Sequence, residues 1–443
     1  MRADVTALRQ LGQRFVSGVG WNVLGAVFNQ GSTFVLGIIV ANALGREKYG
    51  LFGFLQSTML LFTSMGHLAM GFVATKFVAE YRTTQKERAG RVLVACLAFA
   101  AVSGALATLV AMGGARLIAE RVTHRAGVES LIRIVAPGIF FLVITTACTG
   151  ALIGFENFRR NALGGVISGI VYLALGAAMA QRGTVGGVLF GIVLSFVLQT
   201  AVMVSLVLSE ARRQQVPVRW SSLRSLGAER SSLLHVAIPA ALSGFSTVPA
   251  LWLATSILVR QHNGIDQMAL FAAAQAIRTV VVFLPYLINS VGFSVLSNHR
   301  GASDGAGFRH AFWMNMAAVV SVATAGAAVI ILIGPYLLRT YGPTFTDAYP
   351  VLVILISSTI PETLALATYQ VIQTRGHIWR SFFLVALPRD VSLVLLAIPL
   401  TRSYGAAGLA TAHLCGSSIM LLSSVILVRR LGIAPHAVAQ RQT

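Results

Sequence analysis

The chain has 443 residues, of which 56% are hydrophobic and only 11% charged, with a mean hydropathy of +0.77. A water-soluble domain carries roughly a quarter charged residues, so an ordinary soluble globular protein is excluded. The formal charge of +20 invites nucleic acid as a partner, but the positions of the charges point to a membrane surface instead.

A hydrocarbon core about 30 Å thick needs roughly 20 apolar residues per helical crossing, and such stretches follow one another along the chain. Residues 1–14 are polar, with Arg2, Arg9 and Arg14. The apolar run after them is too long for a signal h-region of roughly 7–15 residues and reads as a first inserted helix. The expected spans are 15–43, 50–74, 92–113, 131–153, 162–181 and 184–208. A basic linker, 209–233, leads to 234–259, 267–296, 311–333, 349–372, 382–400 and 405–428, and a basic tail closes the chain at 429–443. The fold class is therefore all-α integral membrane, with about twelve transmembrane helices in two six-helix lobes, 1–208 and 234–428.

Of the 34 Lys and Arg residues, 22 fall in loops on the side of the N-terminus, nine in loops on the opposite side and three within spans. This bias places both termini of an inner-membrane protein in the cytoplasm and suits anionic lipid headgroups. Nucleic acid is not needed to explain it. Cys96, Cys148 and Cys415 all lie in expected helices and form no paired or metal-binding spacing, so they read as small apolar fillers.

The chain repeats itself. Gly45-Arg46-Glu47-Lys48-Tyr49-Gly50-Leu51-Phe52 leads to Gln56 between spans one and two. Gly264-Ile265-Asp266-Gln267-Met268-Ala269-Leu270-Phe271 leads to Gln275 between spans seven and eight, 219 positions further on. The turn Arg182-Gly183-Thr184-Val185-Gly186 has a counterpart at Arg402-Ser403-Tyr404-Gly405-Ala406 with nearly the same offset. A duplicated six-helix unit with parallel halves follows, related by a pseudo-twofold axis along the membrane normal, as in transporters with parallel repeats. Gly183, Gly187 and Gly191, at four-residue spacing, suit close helix packing.

No segment outside the spans is long enough for a soluble catalytic domain. P-loop, dinucleotide, HExxH and CxxC patterns are missing from the sequence, and no cofactor is expected. His299 and Asp304 match an HxxxxD spacing in a Gly-rich turn without other support.

Ionisable groups inside the bilayer cost about 2.5–3.5 kcal/mol each on insertion scales and tend to face a cavity or a partner. Arg278 lies near mid-depth, three residues after Gln275 and on the same helical face. It is a candidate for bidentate contact with phosphate, or for a salt bridge to an acid such as Glu362. Glu362 follows Pro361, whose missing donor suits a break lining a cavity, and its carboxylate is a candidate coupling site. In Pro388-Arg389-Asp390, neighbouring residues diverge by about 100°, so Arg389 and Asp390 are expected to seek separate partners, with Arg389 snorkelling to the surface. Lys76 and Glu80 mark the end of span two, where Glu80 can neutralise Lys76, and His67 is placed mid-span as a titratable candidate. Span one carries Asn22, Asn29 and Gln30 but no acid.

The segment Ala43-Leu44-Gly45-Arg46-Glu47-Lys48-Tyr49-Gly50-Leu51-Phe52 resembles the LG-x-x-x-YG-x-F turn of bacterial polysaccharide flippases, the O-antigen and exopolysaccharide transporters of the MATE-like (MOP) superfamily. Lys76-Phe77-Val78-Ala79-Glu80-Tyr81-Arg82 is similar to the basic segment ending their second helix, and Gly405-Ala406-Ala407-Gly408 fits the turn before the twelfth. The resemblance implies two six-helix lobes around a central, often cationic cavity. It also implies a lipid-linked oligosaccharide carried to the periplasmic leaflet, with a polysaccharide polymerase and other assembly proteins as partners. The resemblance fixes no site beyond the matched turn positions; from the residues themselves, substrate contacts are expected from Arg278, Gln275, Gln56, Lys76 and Arg389, and coupling from Glu362, Asp390, Glu80 and His67. Competing readings are a cation-coupled multidrug antiporter, which would place acids in the first lobe, a peptidoglycan-precursor flippase with fourteen helices, and an integral-membrane polymerase or acyltransferase.

Overall fold

In a bilayer the backbone must satisfy its own polar groups, and helices supply every regular element among the described residues, 2–219, 246–301, 305–374 and 378–431 of this computed structural model. They are α1 (Arg2–Leu44), α2 (Arg46–His67), α3 (Met70–Tyr81), α4 (Lys86–Ile118), α5 (Val128–Val135), α6 (Pro137–Gly154), α7 (Phe158–Ala180) and α8 (Val185–Arg213). After the linker come α9 (Thr247–Val259), α10 (Gly264–Gly301), α11 (Gly305–Thr340), α12 (Tyr349–Thr374) and α13 (Leu387–Arg430). Nine helical stretches among the described residues are long and apolar enough to cross a membrane, and the bent pair α2–α3 makes ten.

The last stretch, Trp379–Arg430, runs for 52 residues. At 1.5 Å per residue that is about 78 Å, more than twice a hydrocarbon core, so it holds two crossings. The division falls at Gly405, whose φ of 54° and ψ of −128° leave the helical region. Gln267 Oε1 accepts the Ala406 N–H at 2.9 Å, capping the new helix start. A Cβ at Gly405 would approach that same oxygen at 2.5 Å. Gly405→Ala is therefore expected to cost about 1–3 kcal/mol, read as a lower unfolding midpoint in detergent. The expected span 234–259 is described only from Ser246 onward. The linker beyond Arg219, the Asp304 end of the HxxxxD turn and most of the basic tail also lie outside the described residues.

The chain divides into two compact units. The first comprises Met1–Ala43, Leu55–Arg121 and Arg125–Leu242; the second comprises Leu44–Phe54, Val122–His124 and Ser243–Thr443. Glycine-mediated crossings recur within the first. Gly71 of α3 and Gly150 of α6 meet backbone to backbone, and the Thr75 hydroxyl bonds both carbonyls, at 3.0 and 2.9 Å. Gly191 of α8 lies against Leu175 O and Met179 of α7.

In the second unit the two copies of the repeated segment touch. Gly50 abuts the Ile265 carbonyl so closely that any Cβ would overlap it, and Gly53 faces Ala272. This is the physical reason for the glycine after Tyr49. Tyr49 itself packs edge-on against Tyr341 and Phe345, and Arg46 pairs with Asp347 at 2.8 Å. The repeat also shows in the backbone, because Gly45 and Asn263 at one junction, and Gly183 and Gly405 at the other, all have positive φ.

Two sequence expectations are corrected here. His67 ends α2 instead of lying in the middle of an unbroken helix, since Leu68 (φ 37°) and Ala69 (φ 58°) break the helix and α3 departs at 41°. The α12 helix runs through Pro361 without a break. The Ser358, Thr359 and Thr363 hydroxyls bond the carbonyls of Leu355, Ile356 and Thr359 within the same helix, so these polar side chains are satisfied locally.

Candidate functional site

The second unit gathers polar side chains on α10, α12 and α13 inside an otherwise apolar bundle. Arg278 of α10 donates through Nη2 to Glu362 Oε2 of α12, and the two side chains are 6% and 13% exposed. Tyr286, two turns along α10, donates to the other carboxylate oxygen at 2.8 Å. The acid is thus held by a cation and a phenol from one helix. Arg278 Nε and Gln275 Oε1, on that helix too, are buried without a hydrogen-bond partner. Each such atom costs about 1–3 kcal/mol of desolvation, so the pair is incompletely satisfied.

A second ion pair lies where α13 begins. The chain takes a π turn at Phe382–Ala386 before Pro388. That wider turn accommodates a ring that would clash with the carbonyl four residues back in a regular helix. Arg389 contacts Asp390 Oδ1 through Nε at 2.8 Å and Nη2 at 2.6 Å, contrary to the expectation that these neighbours seek separate partners. The Cβ directions do diverge, but the arginine stem is long enough to curl back. Both groups converge on the start of α9, where Ser246 donates to Asp390 at 2.5 Å and the Thr247 hydroxyl accepts from Arg389. A carboxylate is also favoured near a helix N-terminus. Asp390 is 3% exposed and Arg389 18%, so Arg389 stays inside instead of snorkelling to the surface.

His413 of α13 was not singled out from the sequence. It stands within electrostatic reach of both Arg278 and Arg389, with Ser358 3.3 Å from its Nδ1. Asn289 and Asn315 form another buried contact, at 3.1 Å, that sequence reasoning passed over. Polar residues isolated in apolar helices carry no spacing signal, which is why Tyr286, His413 and the asparagines went unremarked.

The remaining candidates belong to the first unit and do not join this cluster. Gln56 donates to the Tyr172 hydroxyl at 3.2 Å, and Tyr172 stacks on Phe196. Lys76 and Glu80 are exposed, with the ammonium over the Phe77 ring, 5.3 Å from its centroid. His67 keeps a buried Nδ1 without a partner at the α2–α3 break. A further network, Glu210 with Arg160 (3.1 Å), Asn157 and Gln214 (both 2.8 Å), ties α7 to α8. Among the described residues no group of acids, histidines and cysteines could hold a metal ion.

Comparison with known proteins accords with this architecture. Residues 15–299 match the model of the family described as "Polysaccharide biosynthesis protein". The chain is 22% identical over 437 residues to the EPS I polysaccharide export inner membrane protein EpsE of Ralstonia solanacearum, covering 96% of both. Among solved structures, an inward-facing multidrug resistance MATE transporter of the MOP superfamily aligns with a TM-score of 0.76 at 18% identity, over 95% of this chain and 99% of that one. A MOP superfamily transporter from Pyrococcus furiosus, reported with a binding pocket of reversed polarity, aligns at 0.68 and 17% identity over 94% and 95%. The fold is therefore MATE-like, and with more than half its length matched, the chain belongs to the polysaccharide biosynthesis protein family of multi-pass membrane transporters.

Proposed function

We propose that the protein is a flippase of the bacterial inner membrane. It moves a polyprenyl-diphosphate-linked oligosaccharide from the cytoplasmic to the periplasmic leaflet, with both termini cytoplasmic, by alternating access between lobes 1–208 and 234–428. The observation that carries this reading is the buried Arg278 guanidinium, paired to Glu362 yet holding an unsatisfied Nε. A guanidinium binds phosphate oxygens bidentately, so a diphosphate arriving at Arg278 exchanges one anion for another instead of stripping a bare cation. Glu362, released from the pair, is then the group that takes up a proton or sodium ion, and Arg389 with Asp390 supplies a second exchangeable pair. Lys76 and Glu80 act at the cytoplasmic mouth.

The experiment is export of surface polysaccharide from cells carrying only a variant chain, at equal membrane abundance. Arg278→Ala is expected to lower export at least about tenfold, the loss of one charge-assisted contact, and to leave the lipid-linked repeat unit accumulating. Wild-type export from that variant removes Arg278 from the reaction. Unchanged transport after collapse of both proton and sodium gradients removes coupling through Glu362. The MATE-like fold alone would also serve a multidrug antiporter. Against that reading stands the first unit, where the polar groups around its cavity are amides and hydroxyls without a carboxylate.

A further inference from the structure

The first unit holds a cavity of about 320 Å³ between α1, α6, α7 and α8. That volume falls at the small end of ligand pockets, roughly 300–1,000 Å³. Its polar lining consists of Asn29, Thr149, Asn161, Ser168 and Gln199. We infer that this cavity is a subsite for one uncharged sugar ring of the cargo, separate from the arginine site of the second unit.

Three observations carry the inference. First, the lining is polar and neutral. Amides and hydroxyls both donate and accept hydrogen bonds, as ring hydroxyls do, and the lining carries no charged side chain to neutralise a phosphate or an inorganic cation. The nearby cations are engaged elsewhere, with Arg160 on Glu210 and Ser209 and Arg159 over the Trp21 ring. Second, polar side chains converge from four helices that are each long and apolar enough to cross a membrane, and polar groups in such helices are costly and mark substrate pathways. Ser168 already donates to Gly164 O at 2.6 Å and so presents acceptor lone pairs, while the Gln199 amide has no hydrogen bond among the described residues. Third, the space is not a gap left by loose packing. A Cβ on Gly25 would come within 2.9 Å of Ala162, so α1 and α7 already touch beside it, and Gly25, Ala162 and Gly165 give the cavity a smooth apolar wall. Such a wall suits the C–H face of a pyranose.

The inference rests on the reading of the cargo as a glycosylated lipid diphosphate, and the test separates the two. The full chain in nanodiscs is titrated with farnesyl diphosphate and with farnesyl diphosphate esters carrying glucose, galactose, mannose or either of the N-acetylhexosamines. Wild type is expected to bind at least one ester about five- to tenfold more tightly than the bare diphosphate, the worth of one or two hydrogen bonds. Gln199→Leu removes that preference while leaving farnesyl diphosphate binding within about twofold of wild type. Ala26→Leu, which fills the space without touching a polar group, does the same and guards against a misfolded Gln199 variant. Equal binding of all probes by wild type, or a preference that survives both variants, overturns the subsite and leaves the flippase reading in place. If wild type binds no probe at all, the glycolipid reading falls and the subsite falls with it.

Discussion

Glu362→Leu is expected to lower stability by about 3–5 kcal/mol, because it strands the buried Arg278 guanidinium without its counter-ion. Arg278→Met is expected to cost less. An orphaned carboxylate can take up a proton and become neutral, whereas a guanidinium keeps its charge under all usable conditions. Combining the two changes replaces an ion pair with apolar groups of similar size, which is often neutral or stabilising. The double variant is therefore expected to unfold near the wild-type midpoint while exporting no polysaccharide. Unfolding midpoints in detergent, set beside surface polysaccharide from the same strains, check all three. If the double variant exports normally, the pair has a purely structural role. If Arg278→Met proves the more damaging to stability, the assignment of which charge is harder to strand is wrong.

The second large effect is expected at Gly150. Its Cβ position is occupied by Gly71 backbone, with the Gly71 carbonyl oxygen in overlap and its Cα also within contact. Neither neighbour can swing aside as a side chain would. Relief requires α3 and α6 to separate, which also breaks the Thr75 hydroxyl from one or both of its carbonyl acceptors. Gly150→Val is expected to cost about 3 kcal/mol, the upper end for overpacking a core, and to reduce the amount of folded protein recovered from membranes. Gly113→Ala is the control. Nothing lies within 4 Å of a Cβ built there, so its midpoint should stay within about 0.5 kcal/mol of wild type. Wild-type stability for Gly150→Val would mean that α3 and α6 do not cross this closely.

Much of the fold was legible because a bilayer imposes a length on each apolar run, so spans such as 162–181 and 184–208 fall within a few residues of α7 and α8. The break between the last two was legible from Gly405 and its counterpart in the first half. The Arg278–Glu362 contact was foreseeable for an energetic reason, since a mid-depth arginine requires an anion and Glu362 is an acid placed mid-helix nearby. The Arg389–Asp390 contact was misjudged because helical geometry constrains where a side chain starts more than where a long one ends. The bend after His67 was invisible, because neither Leu68 nor Ala69 belongs to the residue types that announce left-handed backbone. The cavity of the first unit had no sequence signature, as it is shaped by four helices and by the side chains that glycine lacks. Of its polar residues only Asn29 stands out in the sequence, as one of the amides in a largely apolar first span.

That unannounced bend has a consequence of its own. Two adjacent glycines would have reached the same angles at no steric cost, and the joint would then swivel freely. Leucine and alanine narrow the accessible backbone, so the elbow keeps one angle and α3 leaves α2 in a defined direction. His67, with a buried imidazole nitrogen that has no partner, is the last residue before that elbow, so the direction of α3 is set by backbone sterics at two residues and not by a side-chain bond.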